Sequence, residues 1–288
     1  MKLYKIQDGV VLHRANDYYI LAHNWDSLIN RDGLYNYLTK MVEKADKLTE
    51  ETSTQLLKSK LLPPVGQQEV WAAGVTYMRS REARMEESKQ SGGADFYDKV
   101  YEAERPELFF KALAHRVAGP GQQVYIRRDS TWNVPEPELT LFISSSGDIQ
   151  AYTIGNDMSS RSIEGENPLY LPQAKTYERC AALGPCLYVP KEPISPDTAI
   201  SMQIQRGEKV LYQDSVQINR MKRTHTELTS YLFRECEFPC GCFLMTGTCL
   251  VPPNDFTLQI NDSIIIQIDG IGTLSNIVGI KQYFSNRI

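Results

Sequence analysis

The stretch from Trp132 to Lys175 constrains this chain more than any other. Within it, Leu139-Thr140-Leu141-Phe142-Ile143 and Ile149-Gln150-Ala151-Tyr152-Thr153-Ile154 flank Ser144-Ser145-Ser146-Gly147-Asp148. Two β-rich runs around a cluster of turn residues specify a hairpin. Glu136 and Glu138 stand two residues apart at its start, and strand residues at that spacing share a face. A turn at Ser146-Gly147 sets Glu136 opposite Asp157, whereas one at Gly147-Asp148 sets Glu138 there, and opposed residues point the same way. Either register gathers three carboxylates. Like charges facing one another across strands are destabilising, so such a cluster persists only with solvent, bound protons or a cation. An all-oxygen ligand set suits Mg2+, Mn2+ or Ca2+; the other reading of the pattern is a solvated acidic face.

The 288 residues suffice for one large domain with a smaller appendage. The net charge of -4 offers no basic footprint for nucleic acid. No apolar run reaches membrane-spanning length, and Met1-Lys2-Leu3-Tyr4-Lys5 is not followed by a signal-peptide core, so the expectation is a cytoplasmic protein with no membrane or nucleic-acid partner. Six cysteines, Cys180, Cys186, Cys236, Cys240, Cys242 and Cys249, form no paired Cys-x-x-Cys units and are assigned no role.

Taken in order, residues 2–22 read as short antiparallel strands around Asp8-Gly9. Leu34, Leu38, Met41, Ala45 and Leu48 recur at helical spacing and predict a helix of roughly four turns. Pro63-Pro64 and Gly66 mark a linker, dividing a small N-terminal α+β domain (1–65) from a larger one (66–288). A buried strand through Gly74 gives way to the charged, helix-forming run Arg79-Ser80-Arg81-Glu82-Ala83-Arg84, either a solvated face or a lid over a site. Gly92-Gly93 breaks it before a second helix at 97–104. Residues 161–175 carry too little periodicity for a strand or a long helix and are placed in loops. Thr224-His225-Thr226-Glu227 has capping-box spacing and starts a helix, leaving His225 as a first-turn surface residue. The remainder alternates as strands, with turns at Gly207-Glu208 and Asp269-Gly270.

Several short motifs occur in a set order: Gly74-Val75-Thr76-Tyr77, Phe109-Phe110-Lys111, Pro135-Glu136-Pro137-Glu138-Leu139, Gly155-Asn156-Asp157-Met158-Ser159-Ser160-Arg161, Lys175 and Thr246-Gly247-Thr248. In this order they resemble the fumarylacetoacetate hydrolase family, from about Glu69 to the C-terminus. The resemblance implies an α+β, mainly β fold, a mixed β-sandwich roll. It implies a homodimer or higher homo-oligomer acting on 2-oxo acids or β-diketones, with Glu136, Glu138 and Asp157 ligating one divalent metal, usually Mg2+ and otherwise Mn2+ or Ca2+. Members that cleave carbon–carbon bonds carry a water-activating His six residues after the glycine of the first motif. Here Ser80 holds that position, and a serine is no general base near neutral pH. His115 is the nearest substitute.

The run Arg161–Lys175, with Arg105-Pro106-Glu107 and Arg79-Ser80, is most similar to the sugar-acid dehydratase branch of that family. The expected activity is therefore that of a Mg2+-dependent hydro-lyase removing water from a 2-keto-3-deoxy sugar acid, such as 2-keto-3-deoxy-D-arabinonate to 2,5-dioxopentanoate. A metal-polarised 2-oxo group would acidify the C3 protons and stabilise the enolate. Lys175 is then placed as donor to developing oxyanion charge or to the departing C4 hydroxyl, and Glu107 as general base. Arg79, Ser80 and Thr248 would position substrate. The alternatives are a hydrolase or isomerase-decarboxylase of 2-oxo dicarboxylic acids or acylpyruvates, and a non-catalytic 2-oxo acid binding protein.

Overall fold

In a computed structural model, which describes residues 1–87 and 94–282, the acidic hairpin forms the middle of an eleven-stranded sheet. Strands Pro137–Ile143 and Ile149–Asp157 pair antiparallel. Cys242–Met245 flanks the first and Ala181–Tyr188 the second. The sheet continues on one side through Glu69–Gly74 to Glu107–Leu113. On the other side Ala181–Tyr188 pairs Lys2–Ile6, so the strands of the segment expected as a small N-terminal domain extend this sheet as far as Asp46–Leu48.

Every residue of Pro137–Ile143 is buried, and the two-residue side-chain period splits it between two cores. Leu139, Leu141 and Ile143 face a second, five-stranded sheet, meeting Ile200, Met202, Ile204, Ile264, Ile266 and Ile268. Phe142 and Ala151 face the opposite way, toward Trp25, Leu28, Leu34 and Leu38 of helices Trp25–Ile29 and Leu34–Val42. The outcome is the mixed β-sandwich expected from the motifs. Such a strand has no solvent face, so its sequence shows an almost continuous apolar run, and carboxylates at its open end are drawn into the interior.

Some local expectations differ from what forms. The helix predicted to run through Leu48 ends at Val42, because Asp46–Leu48 pairs Tyr18, Tyr19 and Ile20 at the sheet edge and backbone pairing outweighs a fading apolar stripe. Residues 161–175, expected as loops, form the helical turns Arg161–Glu166, Pro168–Tyr170 and Leu171–Lys175. They are too short for a periodic signal and take their order from the groups they hold. Helix Met78–Glu87 begins where expected, and the Gly92-Gly93 break lies outside the described residues. Thr224 makes a full capping box with Glu227 on helix His225–Leu232. His225 itself is half-buried, its ring 6.2 Å from that of Tyr152, and burial pushes its pKa down to about 4. Among the described residues no helix is long and apolar enough to cross a membrane.

Candidate metal and catalytic centre

The hairpin takes the register of the Ser146-Gly147 turn near the site. Pro137 pairs Asn156 and Glu138 pairs Gly155, and Asp157 N donates to Glu136 O at 2.9 Å. An irregularity between Phe142 and Ile143 confines the slip to the tip. Glu136, Glu138 and Asp157 thereby come together at the end of the hairpin, each at most 4 % exposed. One carboxylate oxygen from each lies within 4.8 Å of the others.

Two lysines are built into this cluster. Lys175 Nζ donates to Glu136 Oε2 at 2.6 Å, Asp157 Oδ2 at 2.9 Å and Ser159 Oγ at 2.5 Å. Lys111 Nζ lies 2.5 Å from Asp157 Oδ1 and donates to the carbonyl of Met158 at 2.9 Å and to that of Lys175. Arg161 Nη2 is 3.5 Å from Glu136 Oε1, with its guanidinium 5.6 Å from the centre of the Trp132 ring. Glu138 differs from its neighbours: it accepts a hydrogen bond from Gly247 N, 2.5 Å from Oε2. Gly247 adopts φ +100°, and a Cβ there would sit 2.0 Å from Thr76 Oγ1, so glycine is required to aim that N–H at Glu138.

This asymmetry governs protonation. Burial works against an ionised Glu136, but Lys175, Arg84 and Arg161 together outweigh it and hold its carboxyl well below the usual carboxylate range. Burial likewise opposes the charged form of Lys175, yet Asp157 and Glu136 raise its pKa above the ordinary lysine value. Glu138 is pushed the other way, first by burial and then by Asp157 and Glu136, well above the usual value. A buried carboxylate next to two others ionises readily only if further positive charge arrives. Three clustered hard oxygen donors, one of them short of positive charge, fit a divalent cation of the Mg2+, Mn2+ or Ca2+ type.

The other expected site residues divide. Ser80 and Thr248 line the same small cavity as the triad and Lys175, together with Gly74, Arg84, Phe109 and Arg161. The Ser80 hydroxyl donates to Tyr77 O at 2.8 Å and accepts from Tyr77 N at 3.2 Å. Thr248 Oγ1 donates to Leu250 O at 3.4 Å. Glu107 lies against the wall of the site, packed on Gly74, where a Cβ would come 1.9 Å from its Oε2. That oxygen is buried and has no hydrogen-bond partner among the described residues. Arg79 is not brought to the site. It pairs with Glu82 and Glu86 at 3.5 and 3.8 Å and borders a separate cavity with Asp214, Arg220 and Cys249.

The helix period explains the last difference. Ser80 and Arg84, at positions i and i+4, lie on one side of helix Met78–Glu87, and Arg79 lies on another. The arginine that this helix brings to the site is therefore Arg84, which sequence reasoning missed, although its spacing from Ser80 could have indicated it. Lys111 and Ser159 stand within the sequence motifs without an assigned role, and a lysine inside the apolar run of Glu107–Leu113 is the available signal. His13, His23, His115 and His225 all stand apart from the residues lining the cavity, so His115 does not substitute at position 80. All six cysteines are free thiols.

Known proteins place this geometry in context. Over 216 residues the chain is 50% identical to a probable 2-keto-3-deoxyxylonate dehydratase of Haloferax volcanii, covering 75% of this chain and 73% of that protein. It is 41% identical over 239 residues to the 2-dehydro-3-deoxy-D-arabinonate dehydratase of Saccharolobus solfataricus, 80% of each. A solved structure of 2-keto-3-deoxy-D-arabinonate dehydratase complexed with magnesium and 2,5-dioxopentanoate superimposes with a TM-score of 0.82 at 33% identity, covering 98% of this chain and 100% of that one. Residues 70–279 match the family description fumarylacetoacetate (FAA) hydrolase C-terminal. The chain belongs to the fumarylacetoacetate hydrolase family.

Proposed function

We propose that this chain is a Mg2+-dependent hydro-lyase that removes water from a 2-keto-3-deoxy sugar acid, as its dehydratase relatives are named for doing. The observation that carries the reading is the buried triad of Glu136, Glu138 and Asp157 with the Lys175 ammonium bonded to two of its members. Triad and lysine together can hold a 2-oxo acid and supply a proton beside it. When bound, the divalent cation supplies the positive charge that polarises the 2-oxo group and acidifies the C3 protons.

The chain's own groups account for the proton traffic. Glu107, with an oxygen at the wall of the site that has no hydrogen-bond partner among the described residues, takes a proton from C3. Lys175, kept charged by Glu136 and Asp157, gives a proton to the C4 hydroxyl. The C4–O bond breaks, its electron pair leaves with the hydroxyl as water, and the C3–H pair becomes the C3–C4 double bond. Moving a further proton from C5 to C3 and ketonising the resulting enol yields the 2,5-dioxo product without any oxidant. Thr248 and Ser80 border the space in which the substrate chain lies, with the Ser80 hydroxyl committed to Tyr77. A serine so engaged activates no water, which favours elimination over the hydrolysis common elsewhere in the family.

The reading extends to a homodimer or higher homo-oligomer in the cytoplasm, supported by the family pattern; sedimentation of the purified protein checks the assembly. The activity is tested by a screen of 2-keto-3-deoxy pentonates and hexonates with and without chelator. Chelator-sensitive dehydration is expected. Cleavage of acylpyruvates with no dehydration of any sugar acid would overturn the proposal.

A further inference from the structure

Among the cations lining the site, Arg84 is engaged outside the triad. Lys175 is held by Glu136, Asp157 and Ser159, and Arg161 lies against Glu136 and Trp132. Arg84, 5 % exposed, forms its ion pair with Glu164, itself 1 % exposed. Neither Glu164 oxygen accepts a hydrogen bond from another described residue. Glu164 lies on the turn Arg161–Glu166 that also supplies Arg161, and Arg84 comes from the opposing helix Met78–Glu87. Its charge nonetheless reaches the triad, since it is among the cations that hold Glu136 ionised.

An anionic substrate entering a site with three carboxylates needs a cation that can take up a further anion without being drawn off those carboxylates. Lys175 and Arg161 cannot meet that condition; Arg84 can, because its partner is not a member of the triad. A guanidinium binds a carboxylate with planar, bidentate geometry that a lysine lacks. The cavity among these side chains is about 10 Å³, against roughly 300–1,000 Å³ for ligand pockets, so substrate entry requires groups at its rim to move. Arg84, borne on one helix and paired with another turn, lines that cavity.

We propose that Arg84 is the group that recognises the carboxylate of the 2-oxo acid, with Glu164 as the positioning residue that presents the guanidinium and stays paired with it as the substrate carboxylate joins. This rests on the reading of the site as one for 2-oxo acids and adds the residue that selects for their charge.

The test uses Mg2+-loaded protein and calorimetric titration with oxalate, a minimal carboxylate with an adjacent oxygen. Replacing Arg84 alone would strand a buried carboxylate, so the informative variants are R84K and the neutral pair R84Q/E164Q. For R84Q/E164Q, oxalate affinity is expected to fall roughly 30-fold, the weight of a charge-assisted bidentate contact, while Mg2+ affinity stays within about 3-fold. R84K should recover part of the loss. In turnover, KM for the sugar acid should rise more than kcat falls. A folded R84Q/E164Q protein that binds oxalate within about 3-fold of the wild type overturns the assignment. Should the wild type dehydrate no sugar acid while oxalate binding still depends on Arg84, the reaction assignment fails and the role of Arg84 stands.

Discussion

Lys175 Nζ lies 2.6 Å from Glu136 Oε2 inside the protein, with both side chains essentially removed from solvent. A lysine and a glutamate buried together in this way are charged because each holds the other so, and the pair places a proton donor against the ligand cluster. The lysine is delivered by the helical turn Leu171–Lys175 and the glutamate by the start of the hairpin. The relationship is therefore tertiary, and under the proposed mechanism it separates metal binding from proton transfer.

Substituting Lys175→Ala should lower kcat by roughly 10²–10⁴-fold, the usual weight of a positioned acid. The Mg2+-induced rise in melting temperature should survive, because the three carboxylates remain. Unchanged turnover would remove Lys175 from the chemistry.

Glu138→Gln should abolish activity and the Mg2+-induced thermal shift together, since it removes a ligand from the cluster while preserving volume and the contact with Gly247. A fully active variant would dismiss the metal assignment.

The pH dependence follows from the same residue. Burial, then Asp157 and Glu136, raise the Glu138 carboxyl well above the value it has in an unfolded chain, so the metal-free native state holds a proton that a cation must expel. Mg2+ affinity should increase with pH, by up to about tenfold per unit, until the Glu138 carboxyl is ionised. Metal-free stability should change in the opposite sense. A raised pKa contributes stability below the unfolded value, and that contribution is lost as pH rises through the folded value. Differential scanning calorimetry from pH 5 to 8, with Mg2+ and with chelator, reads both trends. Parallel curves with and without metal would refute the protonation of Glu138.

Glu107→Gln should leave Mg2+ binding intact while kcat falls at least 10²-fold; equal kcat would exclude it as the base. Gly74→Ala drives a methyl group toward Glu107 Oε2 and should impair turnover by displacing that carboxylate, at a stability cost of about 1–3 kcal/mol. Single-turnover rates separate the two effects from substrate binding.

Outside the residues that line the site, Thr224→Ala removes the cap of helix His225–Leu232. It should cost about 1 kcal/mol on thermal unfolding with kcat unchanged.

What the sequence determined by itself was the local geometry of the acidic strand. A two-residue spacing and a short turn leave few choices, so the shared face of Glu136 and Glu138 and their approach to Asp157 could be read in advance, and the order of the motifs identified the family. The hydrophobic alternation that divides Leu139 and Leu141 from Phe142 was likewise written in a strand buried on both faces. Only the tertiary structure decided which register the hairpin adopts, because both turns were compatible with the same residues. It also decided that Arg84, and not Arg79, enters the site: the phase of a short helix is set by what it packs against. The pairing of Arg84 with Glu164 and of Lys111 with Asp157 joins elements 80 and 46 residues apart. No local pattern encodes such contacts, since their energy comes from excluding water around charges that meet only once the sheets and turns have closed.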